Sequence, residues 1–305
     1  MSNVVKIALD WTPNINHVGF FIAKELGFYD DKQIQIQIQS PAEDNYQTTP
    51  GKKLELGLVD FAIAPFETVI SFNNKPNKAH FIAVFAILQE DLSCIVTLHN
   101  SGINSPKYLD GKTYASYKAK YEDHIVKQMV INDGGKGELN IIYPDKLGIW
   151  NTVVSGQAQA TWIFDNWEGI EASTKNIILN KFRLKDYGIP YGYSPVIVTK
   201  MEYLINKREI YIDFIKATQK GYLYASQHSV PTLSILEKYL PKNDIQNIDL
   251  QKAFSITAPY FGNEQNCGIM SSERVNAFLS WLVKHNLESV QILTQKLFTN
   301  ELIVH

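Results

Sequence analysis

In the first part of the chain, segments with the spacing of apolar residues expected for a strand alternate with segments that have the spacing expected for a helix. Residues 4–9 form a short apolar run, residues 18–26 place apolar side chains at helical spacing before Gly27, and residues 33–39 alternate Ile with Gln. Apolar runs and alternation predict strands, whereas a period near 3.6 followed by glycine predicts a helix and its end. Residues 49–56 and 57–65 predict a further helix and strand. This alternation predicts a parallel sheet with helices on both faces.

The same order of elements begins again after residue 110. Strands are predicted at 111–117, 139–144 and 159–164, and helices at 122–134 and 146–156. The segments 57–63 and 156–162 both start with a glycine after a predicted helix and lead into an apolar strand. We interpret the two parts as a weak internal repeat.

The rest of the chain predicts one more strand, at 194–200, and a mainly helical region with helices at 210–226, 230–240, 271–285 and 287–297. We predict an α/β protein of two lobes, with lobe 1 formed by residues 1–93 plus 199–305 and lobe 2 by residues 94–198. Two crossing strands, near 90–98 and 194–200, would join them. Since open α/β sheets bind ligands beyond the carboxyl ends of their strands, the two lobes predict a hinged cleft that holds a ligand.

Composition narrows the functional classes. The 305 residues carry a net charge of −2, with 45% hydrophobic and 20% charged residues, as in ordinary globular proteins. We see no basic stripe and no apolar run of about 18 residues, so neither nucleic acid nor a membrane is an expected partner. The N-terminus lacks a secretory signal pattern, which predicts a cytoplasmic protein. The expected partner is a small-molecule ligand, and the sequence leaves the oligomeric state open.

The first candidate site is the loop after the first predicted strand. Pro13 stiffens the turn, and Trp11 offers a flat face on which a heteroaromatic ring can stack. Asn14 and His17 can bind a ligand, and Asn16 or His17 can instead cap the following helix. The alternative is a core tryptophan with capping amides.

Two further loops carry polar candidates. Glu67 follows a predicted buried strand and can accept hydrogen bonds from a ring amine, or cap the next helix. Ser116, Tyr117 and the lysines in 118–120 precede a predicted helix, where an anion such as phosphate can bind. The alternative for this loop is a solvated start of the helix.

The last candidates are aromatic and acidic. Trp167 can stack on the face of a ring opposite to Trp11, and Glu168 can bind an exocyclic amino group, because a buried carboxylate needs donors. Tyr191, near the second crossing strand, can line the cleft. The alternatives are core aromatics beside a surface acid, and a turn with packed tyrosines. Two cysteines and scattered histidines give no metal-ligand spacing and no nucleophile motif, so we predict neither a metal site nor a catalytic residue.

Three motifs carry a family resemblance: LDWTPNINHVGFFIAKELGFY (9–29), WIFDNWEGIEA (162–172) and YGIPYGYSPVIV (187–198). They resemble a bacterial and fungal family that includes binding proteins for thiamine pyrimidine precursors and the fungal enzyme that makes the thiamine pyrimidine phosphate. The resemblance implies a periplasmic-binding-protein-like fold of type II and a function in thiamine metabolism. It implies that Trp11 and Asn14 contact a pyrimidine, that Trp167 and Glu168 contact it from the other lobe, and that Tyr191 is a further contact.

The sequence departs from the synthases of this family at two places. The resemblance implies a lysine that holds pyridoxal phosphate and a histidine four residues later, where this chain has Ala64 and Thr68. A Schiff base needs an amine, and a cysteine-rich run of the synthases is also missing. We therefore predict a binding protein without a cofactor. An enzyme of thiamine pyrimidine biosynthesis and a regulatory protein that reuses the fold stay as alternatives.

Overall fold

The computed structural model describes residues 3–76 and 79–303. Its strands are β1 (Asn3–Ala8), β2 (Ile34–Gln39), β3 (Phe61–Ala64), β4 (Phe81–Ala86), β5 (Ser93–Leu98), β6 (Thr113–Ala115), β7 (Asn140–Ile142), β8 (Ala160–Phe164), β9 (Leu179–Phe182) and β10 (Val196–Lys200). Its α-helices are α1 (Val18–Glu25), α2 (Pro50–Glu55), α3 (Glu67–Asn73), α4 (Glu122–Asn132), α5 (Ile149–Val154), α6 (Glu168–Thr174), α7 (Met201–Asn206), α8 (Arg208–Gln227), α9 (Ser229–Glu237), α10 (Lys242–Asn247), α11 (Leu250–Thr257) and α12 (Ser272–Lys284).

The first sheet, in the order β2-β1-β3-β10-β4, defines what we call lobe 1. β1 is parallel to β2 and β3, as predicted, and Ile34 and Ile36 of β2 are buried between exposed glutamines. The complete sheet is mixed, because β10 inserts antiparallel between β3 and β4. This strand returns to the sheet after the chain has built the second lobe, and it therefore runs in the opposite direction.

The second sheet, in the order β7-β6-β8-β5-β9, defines lobe 2 and repeats this arrangement. β6 is parallel to β7 and β8, and β5 lies antiparallel between β8 and β9. β3 and β8, the strands after the two repeated glycine segments, occupy the third position of their sheets. Gly57 and Gly156 before them both have a positive φ, of 73° and 78°, which explains the glycine in both repeats.

The helical region after β10 packs partly on lobe 1, where α8 and α9 cover α1. The helices predicted at 210–226, 230–240 and 271–285 correspond to α8, α9 and α12. The helix predicted at 287–297 is wrong: only residues 290–294 form a short 3-10 helix. The chain then extends along β4, where Ala83 donates to Leu297 O at 2.9 Å and Thr299 donates to Ala83 O at 2.9 Å. Across the residues described, we find no helix with the length and apolar character needed to cross a bilayer.

Candidate functional site

A cavity of about 320 Å³ lies between the two lobes, at the carboxyl ends of β1, β3, β6 and β8. Ligands of open α/β sheets bind at such strand ends. Seven of the nine predicted ligand-binding residues line the cavity, namely Trp11, Asn14, Glu67, Tyr117, Trp167, Glu168 and Tyr191. The other two, His17 and Ser116, do not belong to its lining.

The loop after β1 is held in shape by Asn14 and His17. Oδ1 of Asn14 accepts the backbone N–H of Asn16 at 2.9 Å, and Nδ1 of His17 accepts the backbone N–H of Asn14 at 3.2 Å. Nε2 of His17 therefore carries the hydrogen and donates to Oδ1 of Asp10 at 2.8 Å. His17 is fully buried, both of its ring nitrogens are engaged within the loop, and it does not line the cavity. Its role is to fix the loop that presents Trp11.

Aromatic rings from both lobes meet at Trp11. The indole centroid lies 6.0 Å from the ring of Tyr46 and 6.0 Å from that of Tyr117, which approaches edge-on at 74°. Trp167, predicted to face Trp11 across the ligand, lines the same cavity as Trp11. Trp167 is only 4% exposed and packs in a hydrophobic core cluster, from which it also reaches the cavity wall.

Hydrogen bonds of Ser116 within the loop after β6 hold this loop in shape. Oγ of Ser116 donates to Oδ1 of Asp123 at 2.7 Å and accepts the backbone N–H of Lys118 at 3.0 Å. Ser116 is 1% exposed and does not line the cavity, so its hydroxyl serves the loop itself. The same turn places Lys118 at a φ of 61° and brings Tyr117, Lys118 and Lys120 to the cavity.

Glu67 lies at the start of α3, and its side chain makes no capping hydrogen bond among the residues that the structure describes. It is the first residue of α3 and it lines the cavity, with an exposed fraction of 4%. Burial, assisted by the charge of Glu122, raises the pKa of the Glu67 carboxyl to about 8. Among the residues that the structure describes, Oε2 of Glu67 has no hydrogen-bond partner.

Glu168 is the corresponding acid of lobe 2, at the first position of α6. Its Oε2 accepts the backbone N–H of Phe164 at 3.1 Å. Burial raises the pKa of the Glu168 carboxyl to about 7, and the backbone N–H groups of Glu168 and Phe164 oppose this increase. The cavity therefore contains acids that change charge near neutral pH, an unusual property for carboxyl groups.

Several lining residues were not singled out in the sequence. Lys146 precedes α5, and its Nζ lies 5.1 Å from the ring centroid of Tyr46; burial lowers the pKa of this lysine. Trp162 of β8 packs against Tyr191 with 5.2 Å between ring centroids. Tyr46, Trp162 and Lys146 come from three separate segments. No local sequence pattern links these three residues, because only the packing of the two lobes brings them together.

Two polar connections hold the lobes together beside the cavity. Nδ2 of Asn166 donates to Oδ1 of Asn16 at 2.8 Å and to Oγ1 of Thr257 at 2.9 Å. At the other side, Glu288 accepts hydrogen bonds from Lys120 Nζ and Tyr121 Oη, both at 2.5 Å. Asn74 of lobe 1 adds a third donor to Glu288 at 2.6 Å. The connection at Glu288 ties the cavity loop of lobe 2 to lobe 1.

The fold is that of solved proteins with the periplasmic-binding-protein fold. The periplasmic nitrate-binding protein NrtA from Synechocystis PCC 6803 matches with a TM-score of 0.73, covering 99% of this chain and 87% of that chain at 9% identity. The likeness confirms the predicted fold.

The sequence comparison places the protein in a family. The NMT1/THI5-like family model matches residues 14–230, and the chain belongs to that family. The formylaminopyrimidine-binding protein of Halalkalibacterium halodurans is 23% identical over 305 aligned residues, covering 97% of this chain and 89% of the relative. The 4-amino-5-hydroxymethyl-2-methylpyrimidine phosphate synthase of Legionella pneumophila is 24% identical over 272 residues, covering 84% of this chain and 79% of the relative.

Proposed function

We propose that the protein binds a small nitrogen heterocycle of the thiamine-pyrimidine type, or its phosphate, in the cavity between the lobes. The observation that carries the proposal is one cavity that combines aromatic rings from both lobes with buried acids at its wall. Apolar walls with a few placed polar groups are typical of small-molecule sites. The relatives named for binding or making aminopyrimidines support the choice of ligand class.

In this proposal Trp11 stacks on one face of the pyrimidine and Tyr117 meets it from lobe 2. A flat ring between two parallel faces needs about 7 Å between them, since each contact takes about 3.5 Å. The centroids of Trp11 and Tyr117 are 6.0 Å apart with the rings edge-on. Ligand entry therefore requires the lobes to part or Tyr117 to turn. We propose a hinge at the two connections between lobe 1 (residues 1–93 and 199–305) and lobe 2 (94–198).

The polar groups of the ligand would form hydrogen bonds or ion pairs with side chains of the cavity wall. Glu168 accepts the exocyclic amino group, and Asn14, at the opposite wall, orients the ring edge. A phosphate group would lie beside Lys118 and Lys146, which form no ion pair with any residue that the structure describes. Lys120 also lines the cavity, but Glu288 already holds its ammonium group.

The pyridoxal phosphate that the resemblance implies for the synthases does not fit the residues present. Ala64 and Thr68 line the cavity at the positions of the lysine and the histidine. A methyl group forms no Schiff base, and the cavity lysines Lys118, Lys120 and Lys146 come from the opposite lobe. We therefore propose binding without this cofactor, although one relative is named as a synthase.

Calorimetry and thermal unfolding with 4-amino-5-hydroxymethyl-2-methylpyrimidine and its phosphate test the proposal. Saturable binding is expected, and ligand at about 100 times Kd adds about 2.7 kcal/mol to the free energy of unfolding. Trp11→Ala removes a stacking face and is expected to weaken binding by about tenfold or more. The control Tyr108→Ala changes an exposed aromatic residue outside the cavity and leaves binding unchanged. Absence of binding across a panel of pyrimidines, or unchanged affinity of Trp11→Ala, would contradict the proposal.

A further inference from the structure

Two buried carboxyl groups, Glu67 of lobe 1 and Glu122 of lobe 2, influence each other at the cavity wall. Glu122 is well supplied with donors. It accepts hydrogen bonds from Tyr114 Oη at 2.9 Å, from the backbone N–H of Tyr117 at 3.1 Å and from that of Ala119 at 3.2 Å. Burial raises the pKa of the Glu122 carboxyl, and these three donors oppose the increase because they stabilise the ionised form.

Glu67 has the opposite surroundings. The backbone N–H of Tyr121 faces its carboxyl group, and Oε2 lacks a partner among the described residues. The charge of Lys120 lowers the pKa of Glu67, but Glu288 holds this ammonium group. Tyr191 also faces Glu67 and contributes no charge.

We assign the proton to Glu67, because it has fewer donors than Glu122. Two buried carboxylates near each other cannot both ionise without a large penalty, and the one with fewer donors keeps the proton. The raised pKa of Glu67, about 8, which burial and the charge of Glu122 produce, agrees with this assignment. At neutral pH Glu67 then presents an O–H donor, and its hydrogen has no acceptor within the described protein.

We propose that Glu67 determines ligand specificity by donating the hydrogen of a neutral carboxyl group to an unprotonated ring nitrogen of the ligand. The inference rests on the proposed function and narrows it to neutral aza-heterocycles with a free ring nitrogen as acceptor. Permanent cations and rings protonated at nitrogen lack that acceptor and bind weakly.

The pH dependence of affinity follows from this assignment. The free protein loses the Glu67 proton as pH rises through about 8, whereas the complex keeps it. Binding above that pH therefore takes up one proton, and the association constant falls tenfold for each pH unit. Between pH 7 and pH 9.5 the expected fall is about 30-fold. Glu168 is already half ionised at about pH 7, so its titration changes the affinity by no more than about twofold over this range.

Calorimetry with unphosphorylated 4-amino-5-hydroxymethyl-2-methylpyrimidine from pH 7 to pH 9.5 tests the inference, because the absence of phosphate keeps titration of Lys146 from altering the result. Glu67→Gln places an amide N–H where the acid O–H was. This variant is expected to bind within a few-fold of wild type at pH 7 and to show no fall up to pH 9.5. Glu168→Gln is the matched control and keeps the fall.

Each outcome separates the inference from the proposed function. A wild-type affinity that stays constant from pH 7 to pH 9.5, or a Glu67→Gln variant that keeps the fall, overturns the inference and leaves pyrimidine binding standing. If wild type binds no pyrimidine at all, the proposed function and the inference fall together. Should Glu67→Gln not fold, wild-type titrations at pH 9 in buffers of different ionisation heat still decide: uptake of about one proton is expected, and zero uptake contradicts the inference.

Discussion

The substitution Gly221→Ala tests how closely α1 and α8 must approach to present the Trp11 loop. A Cβ atom added at Gly221 would lie 2.1 Å from the carbonyl oxygen of Gly19 and 3.0 Å from Cβ of Ala23. Both neighbours belong to α1. Tyr222, the next residue of α8, donates from its hydroxyl to Asn16 O at 2.6 Å and so connects this crossing to the ligand loop.

Two effects of opposite sign decide the magnitude. Replacing glycine by alanine inside a helix stabilises it by about 1 kcal/mol. A carbon atom and a carbonyl oxygen normally stay about 3.3 Å apart, so the helices must separate by about 1 Å. Overpacking costs about 1–3 kcal/mol, and contact with backbone on the opposite helix favours the upper end. We expect a net loss of about 2 kcal/mol in the free energy of unfolding.

Urea unfolding and thermal denaturation measure this loss, and the Tm is expected to fall by about 3 °C. Gly148→Ala is the control: no heavy atom of the described residues lies within 4 Å of the new Cβ beyond its chain neighbours, and stability should stay within about 0.5 kcal/mol of wild type. A Gly221→Ala protein as stable as wild type, or more stable, would refute the reasoning, because helix propensity would then outweigh the packing.

Two further predictions concern acids near the cavity. Burial raises the pKa of Glu168 from 4.5 to about 7, so the folded protein loses stability as pH rises from about 4.5 through about 7. In urea unfolding, Glu168→Gln should be more stable than wild type by about 2–3 kcal/mol at pH 8 and equally stable at pH 4. An equal difference in stability at both pH values would contradict this. Glu288→Ala removes the acceptor shared by Lys120 and Tyr121. Stopped-flow measurements should therefore show faster ligand dissociation, and the free energy of unfolding should fall by about 1–3 kcal/mol. An unchanged dissociation rate would show that this connection does not hold the lobes together.

The elements that depend on local pattern were predictable from the sequence. The alternation of Ile and Gln in β2 and the apolar run of α1 are complete within a few residues, and both elements formed as expected. The segment 287–297 has a helical spacing of apolar residues too, yet Leu297 and Thr299 extend along β4 instead. Hydrogen bonding to a distant strand outweighed the local helix propensity in this segment, and a local sequence pattern does not predict such pairing.

In the candidate site too, some features were predictable from the local sequence and others were not. Polar and aromatic residues that directly follow strands β1, β3, β6 and β8 were found, because strand ends in α/β sheets gather at one edge. What each side chain does within the loop was harder to foresee. His17 and Ser116 turned inward to satisfy their own loops, and Trp167 joined the core. Lys146 and Tyr46 reach the cavity only because the lobes pack against each other.

The position of β10 has a consequence for the order in which the protein can be completed during synthesis. All five strands of lobe 2 lie between residues 93 and 182, so this half has its full set of strands before β10 leaves the ribosome. The edges of β3 and β4 that face each other gain their hydrogen bonds only when residues 196–200 arrive between them. The half that begins the chain is therefore the last to close its sheet.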